Sequence, residues 1–428
     1  MSTDPNSAEA PTPGETPAPG TAGPQASFLP RYVAMLLSQS VWVPIGAVVI
    51  ALLVGGVLIV GADEGVRGTL GYFFARPTDF FATATSTVLE AYGALFRGSV
   101  FDWQASSAVR AVMPFTETLV AATPLILTGL GIALAFRSGL FNIGGQGQVV
   151  LGITVGGFAG YAFGLPPVIA FVVALLAGAL GGAVWGGIAG VLKARTGANE
   201  VIVTIMLNSI AGFLLAYLLK QGWYTHTESA NPASRQIDAV AELPALLPAP
   251  FRLHLGFLLA IAATVLVWWI LSRSTLGFEL RAVGENPHAA RTAGISVGRV
   301  TIIAMLIAGA LSGIAGASVV LGTDYKVTAG VAGSIGFDAI TVALLGRSKP
   351  LGTFFAGLLF GAFKAGGYLM QSATGTPIDI ILVVQSIIVL LIAAPPLVVA
   401  IWGSPARLVK RLGRGRRTGS TEAKEVAA

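Results

Sequence analysis

Long apolar runs cut by short polar intervals make up most of this chain. No charged residue falls between Arg31 and Asp63. As an α-helix, Val41–Val60 of that run rises about 30 Å, the thickness of a bilayer's hydrocarbon core. The interval Asp63–Arg110 is mixed and carries the aromatic pairs Phe73–Phe74 and Phe80–Phe81. It reads as an external segment with interfacial helices. A span follows over Thr118–Phe136, closed by Arg137. Ser138–Leu192 holds no charge at all, enough for two crossings, with Pro166–Pro167 breaking the run between them. Further spans read as Val201–Leu219, Leu255–Ser272, Val300–Gly322, Leu351–Met370 and Ile380–Trp402. Phe337–Leu345 is apolar but short. The pattern predicts an all-α polytopic membrane protein with about ten transmembrane helices.

Inside the uncharged run, glycine recurs every fourth residue. One row is Gly152, Gly156, Gly160 and Gly164; the next is Gly178, Gly182, Gly186 and Gly190. Four-residue spacing puts each row on one helix face, where small residues let backbones approach closely. These two helices are expected in the protein interior rather than against lipid.

Composition agrees. Apolar residues are 54% of the chain, charged residues 11%, and the mean hydropathy is +0.78. Soluble domains carry about 25% charged residues. There is no cysteine, so disulfides and thiolate metal sites are excluded. His226, His254 and His288 are scattered, and no metal site is expected. Residues 1–30 form a Pro- and Ala-rich tail expected to be disordered. Residues 31–404 form the transmembrane domain, and 405–428 a basic tail. The net charge of +6 comes largely from the last stretch of chain and is read as cytoplasmic-side charge, not as a nucleic-acid patch.

Charge also sets the sides. With the N-terminus inside, Lys193/Arg195, Arg273–Arg299, Arg347/Lys349 and the basic tail all fall on the cytoplasmic side. Asp63–Arg110 and a longer loop over 220–254 fall outside. If Phe337–Leu345 only dips into the membrane, the tail lands outside, against its basic charge.

Polar groups at membrane depth are costly and therefore informative. Phe141–Asn142–Ile143–Gly144–Gly145–Gln146–Gly147–Gln148 is too glycine-rich for a continuous helix. It reads either as a break lining a passage or as a plain turn whose amides tie it to neighbours. Asn199 suits an N-cap and Glu200 a positive helix start. Asn208 lies mid-span, facing either substrate or a neighbouring helix. Lys364 lies deep in its span and needs a partner or a water-filled cavity. Asp338 and Asp379 open their helices and read as structural. The interval Arg273–Arg299 is arginine-rich, and Asn286–Pro287 suits the start of a short helix. It is either a solvated turn or a docking element. No P-loop, nucleophile elbow or arginine-repeat voltage sensor occurs. The chain is a path without an engine of its own.

Four ordered segments carry a resemblance. Gly139–Gln148 resembles the FNIG-x-(E/Q)-GQ segment of ABC importer permeases of the branched-chain amino acid, simple sugar and nucleoside group. Asn199–Thr204 with Met206–Asn208 is similar to the NEVI-x-T-x-MLN segment of the nucleoside-type members. Leu280–Ala290 followed by Ala293–Ile295 resembles their cytoplasmic coupling segment, and Ala343–Arg347 with Pro350–Gly352 their late ALLGR segment. The resemblance covers roughly residues 40–402. It implies the vitamin B12-importer-like (type II) ABC permease fold. It also implies three partners: a cytoplasmic ABC ATPase that binds ATP and Mg²⁺, a second homologous permease, and a lipid-anchored extracytoplasmic binding protein.

On that footing Arg281, Glu285, Asn286, Pro287, His288, Arg291 and Gly294 belong to the ATPase-coupling element. Phe141, Asn142, Gln146, Gln148, Asn199, Glu200, Asn208 and Lys364 are substrate-pathway candidates. The expected cargo is a nucleoside, with a simple sugar such as ribose as the alternative and an ion-coupled secondary transporter as a third reading. The N-terminal tail is a departure the family does not need.

Overall fold

The computed structural model describes residues 39–225 and 232–402. The two tails, 1–30 and 405–428, and His226 lie outside the described residues. Pro44–Trp402 forms one compact unit; of the other unit, Met1–Val43 with Gly403–Ala428, only the helical residues Gln39–Val43 are described.

The described residues are helices and connections, with no strand among them. The first charge-free run is α1 (Gln39–Ala62). Asp63 caps the short α2 (Glu64–Leu70), its carboxylate accepting from the Val66 amide at 2.8 Å. α3 (Pro77–Ser99) starts on a proline whose missing N–H costs nothing at a first turn. α4 (Ala108–Arg137) starts ten residues before the expected Thr118, because Ser107 caps it there. Arg110 and Glu117 are thereby carried on the helix rather than in a loop. α5 (Gly145–Ala162) and α6 (Ile169–Thr196) are separated at the Pro166–Pro167 break, and α7 is Glu200–Leu218.

After the 219–255 connection come α8 (Gly256–Arg273), α9 (Thr275–Glu285) and α10 (Pro287–Thr292). α11 (Val297–Val319) continues as a π-turn to Asp324. α12 (Ile335–Leu345), α13 (Pro350–Thr374), α14 (Asp379–Ala393) and α15 (Pro395–Trp402) complete the chain. The expected single span Ile380–Trp402 is two helices. Pro395 and Pro396 have no N–H to offer the preceding turn, so the hydrogen-bond ladder stops at Ala394.

Seven of these helices are long and apolar enough to cross a membrane: the Ile45–Ala62 part of α1, α4, α6, α7, α8, α11 with its π-turn, and α13. α5 has 18 residues, but Gln146 and Gln148, with its glycines, lower its hydropathy; it is mostly buried in protein and needs no lipid-facing surface. α12 has 11 residues, a rise of about 16 Å, so it reaches only about halfway through a bilayer core.

α4 and α11 are the most buried of the long spans. α11 lies against both glycine-rich helices. A Cβ placed on Gly182 would meet Gly313 Cα at 2.7 Å and crowd the Gly309 carbonyl still more closely. One on Gly178 would meet Ala317 Cβ at 2.6 Å, and one on Gly186 the Met305 carbonyl at 2.5 Å. From the α5 side, Gly152 meets Gly313 Cα at 2.6 Å and Gly156 meets Ala317 Cβ at 3.0 Å, on the same measure. Gly160 faces a side chain, Ile237, at 3.1 Å. Gly164 falls outside the helix at φ +53° with open space around it, so that row ends one glycine early. Gly309 and Gly313 of α11 are the opposing row.

Candidate functional site

A cavity of about 1000 Å³ opens among the described residues. Its walls come from the start of α4, Arg252 and His254 of the 219–255 connection, the end of α11, residues 330–333 ahead of α12 with Ile335 at its start, and the second half of α13. It therefore lies at the end of the bundle that carries that connection. Its size is at the upper end of small-molecule sites.

Its charges are matched. Asp102, Glu117 and Asp324 line it with Arg110, Arg252 and Lys364. Arg97 Nε donates to Asp102 at 2.8 Å, and that hydrogen bond holds the Asp102 carboxyl below its ordinary range. Arg252 grips Glu117 through two nitrogens, Nε at 3.1 Å and Nη2, and this hydrogen-bonding raises the guanidinium's pKa. Buried His254 accepts the Gly256 amide on Nδ1 at 3.1 Å. Burial, with Arg252 nearby, pushes it down to about 4, so it is neutral at pH 7. Such a lining carries no net formal charge to favour an anion or a cation. It suits a polar, uncharged solute.

At the inner end stands an ion pair. Lys364 lies ten residues, about 15 Å of helix, in from Thr374 at the end of α13. Its Nζ donates to Asp338 Oδ2 at 3.2 Å, and Ser334 Oγ donates to the same oxygen at 2.8 Å. The partner that depth required is the carboxylate in the first turn of the half-helix α12. Read alone, Asp338 looked like a helix-start residue; 26 positions of separation hid the pair.

Of the eight pathway candidates, only Lys364 lines this cavity. Gln146 and Asn208 line a smaller one of about 200 Å³, and Gly330, Ala332 and Gly333 line both. The segment before α12 is thus the wall between them. Gln146 holds that wall by two bonds: Nε2 donates to the Gly333 carbonyl at 2.7 Å, and the Gly336 amide donates to Oε1 at 2.8 Å.

The other candidates hold structure. The glycine-rich segment divides: 138–144 is a turn, and Gly145–Gln148 opens α5. Asn142 is fully buried, accepts the Gly144 amide at 2.9 Å and pairs with the Gln148 amide at 3.3 Å. Asn208 pins α7 to the turn, accepting the Gly147 amide at 2.8 Å and donating to the Ile143 carbonyl at 2.9 Å. Asn199 caps α7 through the Val201 and Ile202 amides. Glu200 pairs with Lys193 at 2.7 Å. Phe141 stacks on Phe136 and is half exposed.

The arginine-rich interval is folded. Asn286 caps α10 through the His288 and Ala289 amides, with Pro287 as its first residue. Glu285–His288 and Arg291–Gly294 are exposed, and Arg281 half so. None of these charged side chains makes an ion pair among the described residues. Buried Leu280, Val283 and Ala290 anchor the element from below. Gly284 sits against the turn after α4: its absent Cβ would meet Arg137's carbonyl carbon at 3.0 Å, and Gly139, at φ +74°, faces Gly284 Cα at 3.2 Å. From the same turn Arg137 Nε donates to the Ser348 carbonyl at 3.0 Å.

Sequence reasoning missed Glu117, Arg252 and Asp324 as cavity residues, and Asp338 as the partner of Lys364. Only Glu117 left a legible signal, being a carboxylate one position ahead of an apolar span.

A sequence model described as "Branched-chain amino acid transport system / permease component" matches residues 115–393. A guanosine ABC transporter permease protein of Bacillus subtilis is 40% identical over 286 residues, 65% of this chain and 80% of that one. A nucleoside ABC transporter permease protein of Lactococcus lactis is 35% identical over 67% of this chain and 81% of its own length. A glucose ABC transporter permease protein of Haloferax volcanii is 34% identical over 64% and 74%. No solved structure matches the chain.

Proposed function

The chain belongs to the branched-chain amino acid transport system / permease component family, and from that premise we propose that it is the membrane permease of an ATP-driven nucleoside importer. The observation that carries the substrate class is the 40% identity with a guanosine permease across four fifths of that protein. The charge-matched cavity supports it, since nucleosides are polar and uncharged at neutral pH. A simple sugar is the second reading, favoured by the 34% identity with a glucose permease.

In this reading the protein lies in a bacterial cytoplasmic membrane, crosses about ten times and adopts the type II fold. Both termini stay inside because the half-helix α12 leads on to Ser348 beside Arg137, on the side of α9, so the chain still changes sides there. The 219–255 connection and the mouth of the large cavity then face outward, toward an extracytoplasmic binding protein. α9 and α10 face the cytoplasm and dock on an ABC ATPase, which alone holds ATP and Mg²⁺. A second permease completes the path. The ATPase biases the two access states only through contacts that differ between them. The exposed charges of α9–α10 are the groups placed to make those contacts.

The test is uptake of labelled guanosine and adenosine in cells with and without this chain, with ribose as competitor. Loss of nucleoside uptake on deletion, unaffected by ribose in the complete cells, supports the reading. Inhibition by ribose alone moves the assignment to sugars. Exchanging Glu285→Arg and Arg291→Glu should abolish ATPase binding; survival of both binding and uptake would sink the docking role.

A further inference from the structure

Lys364, at the inner end of the large cavity, and its partner Asp338 hold unused hydrogen-bonding capacity. Asp338 Oδ2 takes both internal bonds, from Lys364 and Ser334. Oδ1 has no partner among the described residues. Lys364 Nζ uses one of its three N–H donors within the protein. Both side chains keep solvent contact, at 33% and 16% of their surface. Lys364 lines the cavity directly, as does Ile335 of α12, the helix that carries Asp338.

The pair is also neutral as a unit. A free anion would have to displace Asp338 from the lysine, and a free cation would have to displace Lys364 from the carboxylate. A solute that donates to Oδ1 and accepts from Nζ disturbs neither. Two neighbouring hydroxyls do both at once: one O–H donates to the carboxylate, and the other oxygen accepts from the ammonium. On a sugar ring such hydroxyls sit close enough to bridge a salt-bridged pair.

We infer that Lys364 and Asp338 form a diol-recognising subsite in the permease itself, taking the 2′,3′-hydroxyls of a nucleoside's ribose. The inference rests on the nucleoside reading above and adds where, and by which atoms, the membrane path tells its cargo apart. Hydrogen bonds to charged groups are the strong ones, so losing both hydroxyls weakens binding roughly ten- to hundredfold.

The experiment uses the full-length protein in lipid nanodiscs, without any binding protein, melted in titrations of adenosine and of 2′,3′-dideoxyadenosine. Ligand that binds the folded state raises the melting midpoint with concentration. Adenosine should protect at concentrations roughly ten- to hundredfold below the dideoxy analogue. The variant Asp338→Asn with Lys364→Met, which removes both charges together, should lose that difference. Equal protection by the two compounds, no protection by adenosine, or a difference that persists in the folded variant each overturns the subsite. If the double variant fails to fold, the wild-type comparison still decides. Uptake separates the two readings. Nucleoside uptake that survives deletion of this chain sinks the nucleoside assignment and the subsite with it. Uptake that is lost on deletion, with no diol discrimination in nanodiscs, sinks the subsite alone.

Discussion

Gly182→Ala sets two physical effects against each other. By helix propensity alone, alanine in place of a mid-helix glycine stabilises by up to about 1 kcal/mol. The packing predicts the opposite sign. The new methyl would stand 2.7 Å from Gly313 Cα and nearer still to the Gly309 carbonyl. Ordinary carbon–carbon contact needs about 3.5–4.0 Å, so α6 and α11 must part by roughly 1 Å. Both obstructing groups are backbone, so no side chain can rotate away. A gap of that size forfeits a quarter to a half of each contact's attraction along the seam. Overpacking of this kind costs about 1–3 kcal/mol, and the rigid backbone puts Gly182→Ala at about 3 kcal/mol. The assay is thermal unfolding in nanodiscs beside Gly212→Ala, whose methyl meets nothing within 4 Å. Gly212→Ala should match or exceed wild type, and Gly182→Ala should melt well below it. If the two variants melt together, the α6–α11 seam is not the close contact described.

Gly284→Ala should push α9 off the turn after α4 and cut transport about tenfold, as coupling networks transmit up to about 2 kcal/mol; cell uptake read against ATP hydrolysis should show hydrolysis continuing. Asn208→Leu leaves the Gly147 amide and Ile143 carbonyl unpaired at about 1–3 kcal/mol each, a loss visible in melting. His254, held near 4 from an ordinary 6.5, stays neutral in the fold while the unfolded chain takes up a proton. Its contribution is therefore complete above pH 6.5 and declines by up to about 3 kcal/mol as pH falls toward 4; between those values the melting midpoint of His254→Gln should drop less than that of wild type.

What the sequence made legible follows range of interaction. Apolar runs and prolines are local signals, so the helices and most of their ends could be placed from them. So could the Asn199 and Asn286 caps, which act on amides two and three residues ahead. The glycine rows announced close packing of α5 and α6 but not against what, because the opposing Gly309 and Gly313 lie in a helix more than a hundred residues on. The cavity was hidden for the same reason. Lys364 stood out because a charge at that depth needs explaining, whereas Asp324 and Arg252 fall at a helix end or in a connection, where charge is ordinary, and Glu117 marks the edge of an apolar run although its helix starts nine residues earlier. Asn142, Gln148 and Asn208 stood out as polar groups at depth, yet their partners are one another and nearby backbone.

Those inward-facing amides explain how the two ends of the protein can be linked. The half-helix α12 is held at its C-terminal side by Arg137, through the Ser348 carbonyl, and at its N-terminal side by Gln146, through Gly333 and Gly336. Arg137 and Gln146 flank one turn, whose interior is braced by Asn142, Gln148 and Asn208. Gly284 of α9 rests on that turn backbone to backbone. No flexible side chain stands between them to absorb a displacement. A shift of α9 therefore moves a braced turn, and the turn holds both ends of the helix whose first turn carries Asp338. α12, at 11 residues, is set in height by these two clamps, by the Asp338–Lys364 ion pair to α13 and by its packing. It stands where the cavity wall and the ion pair meet.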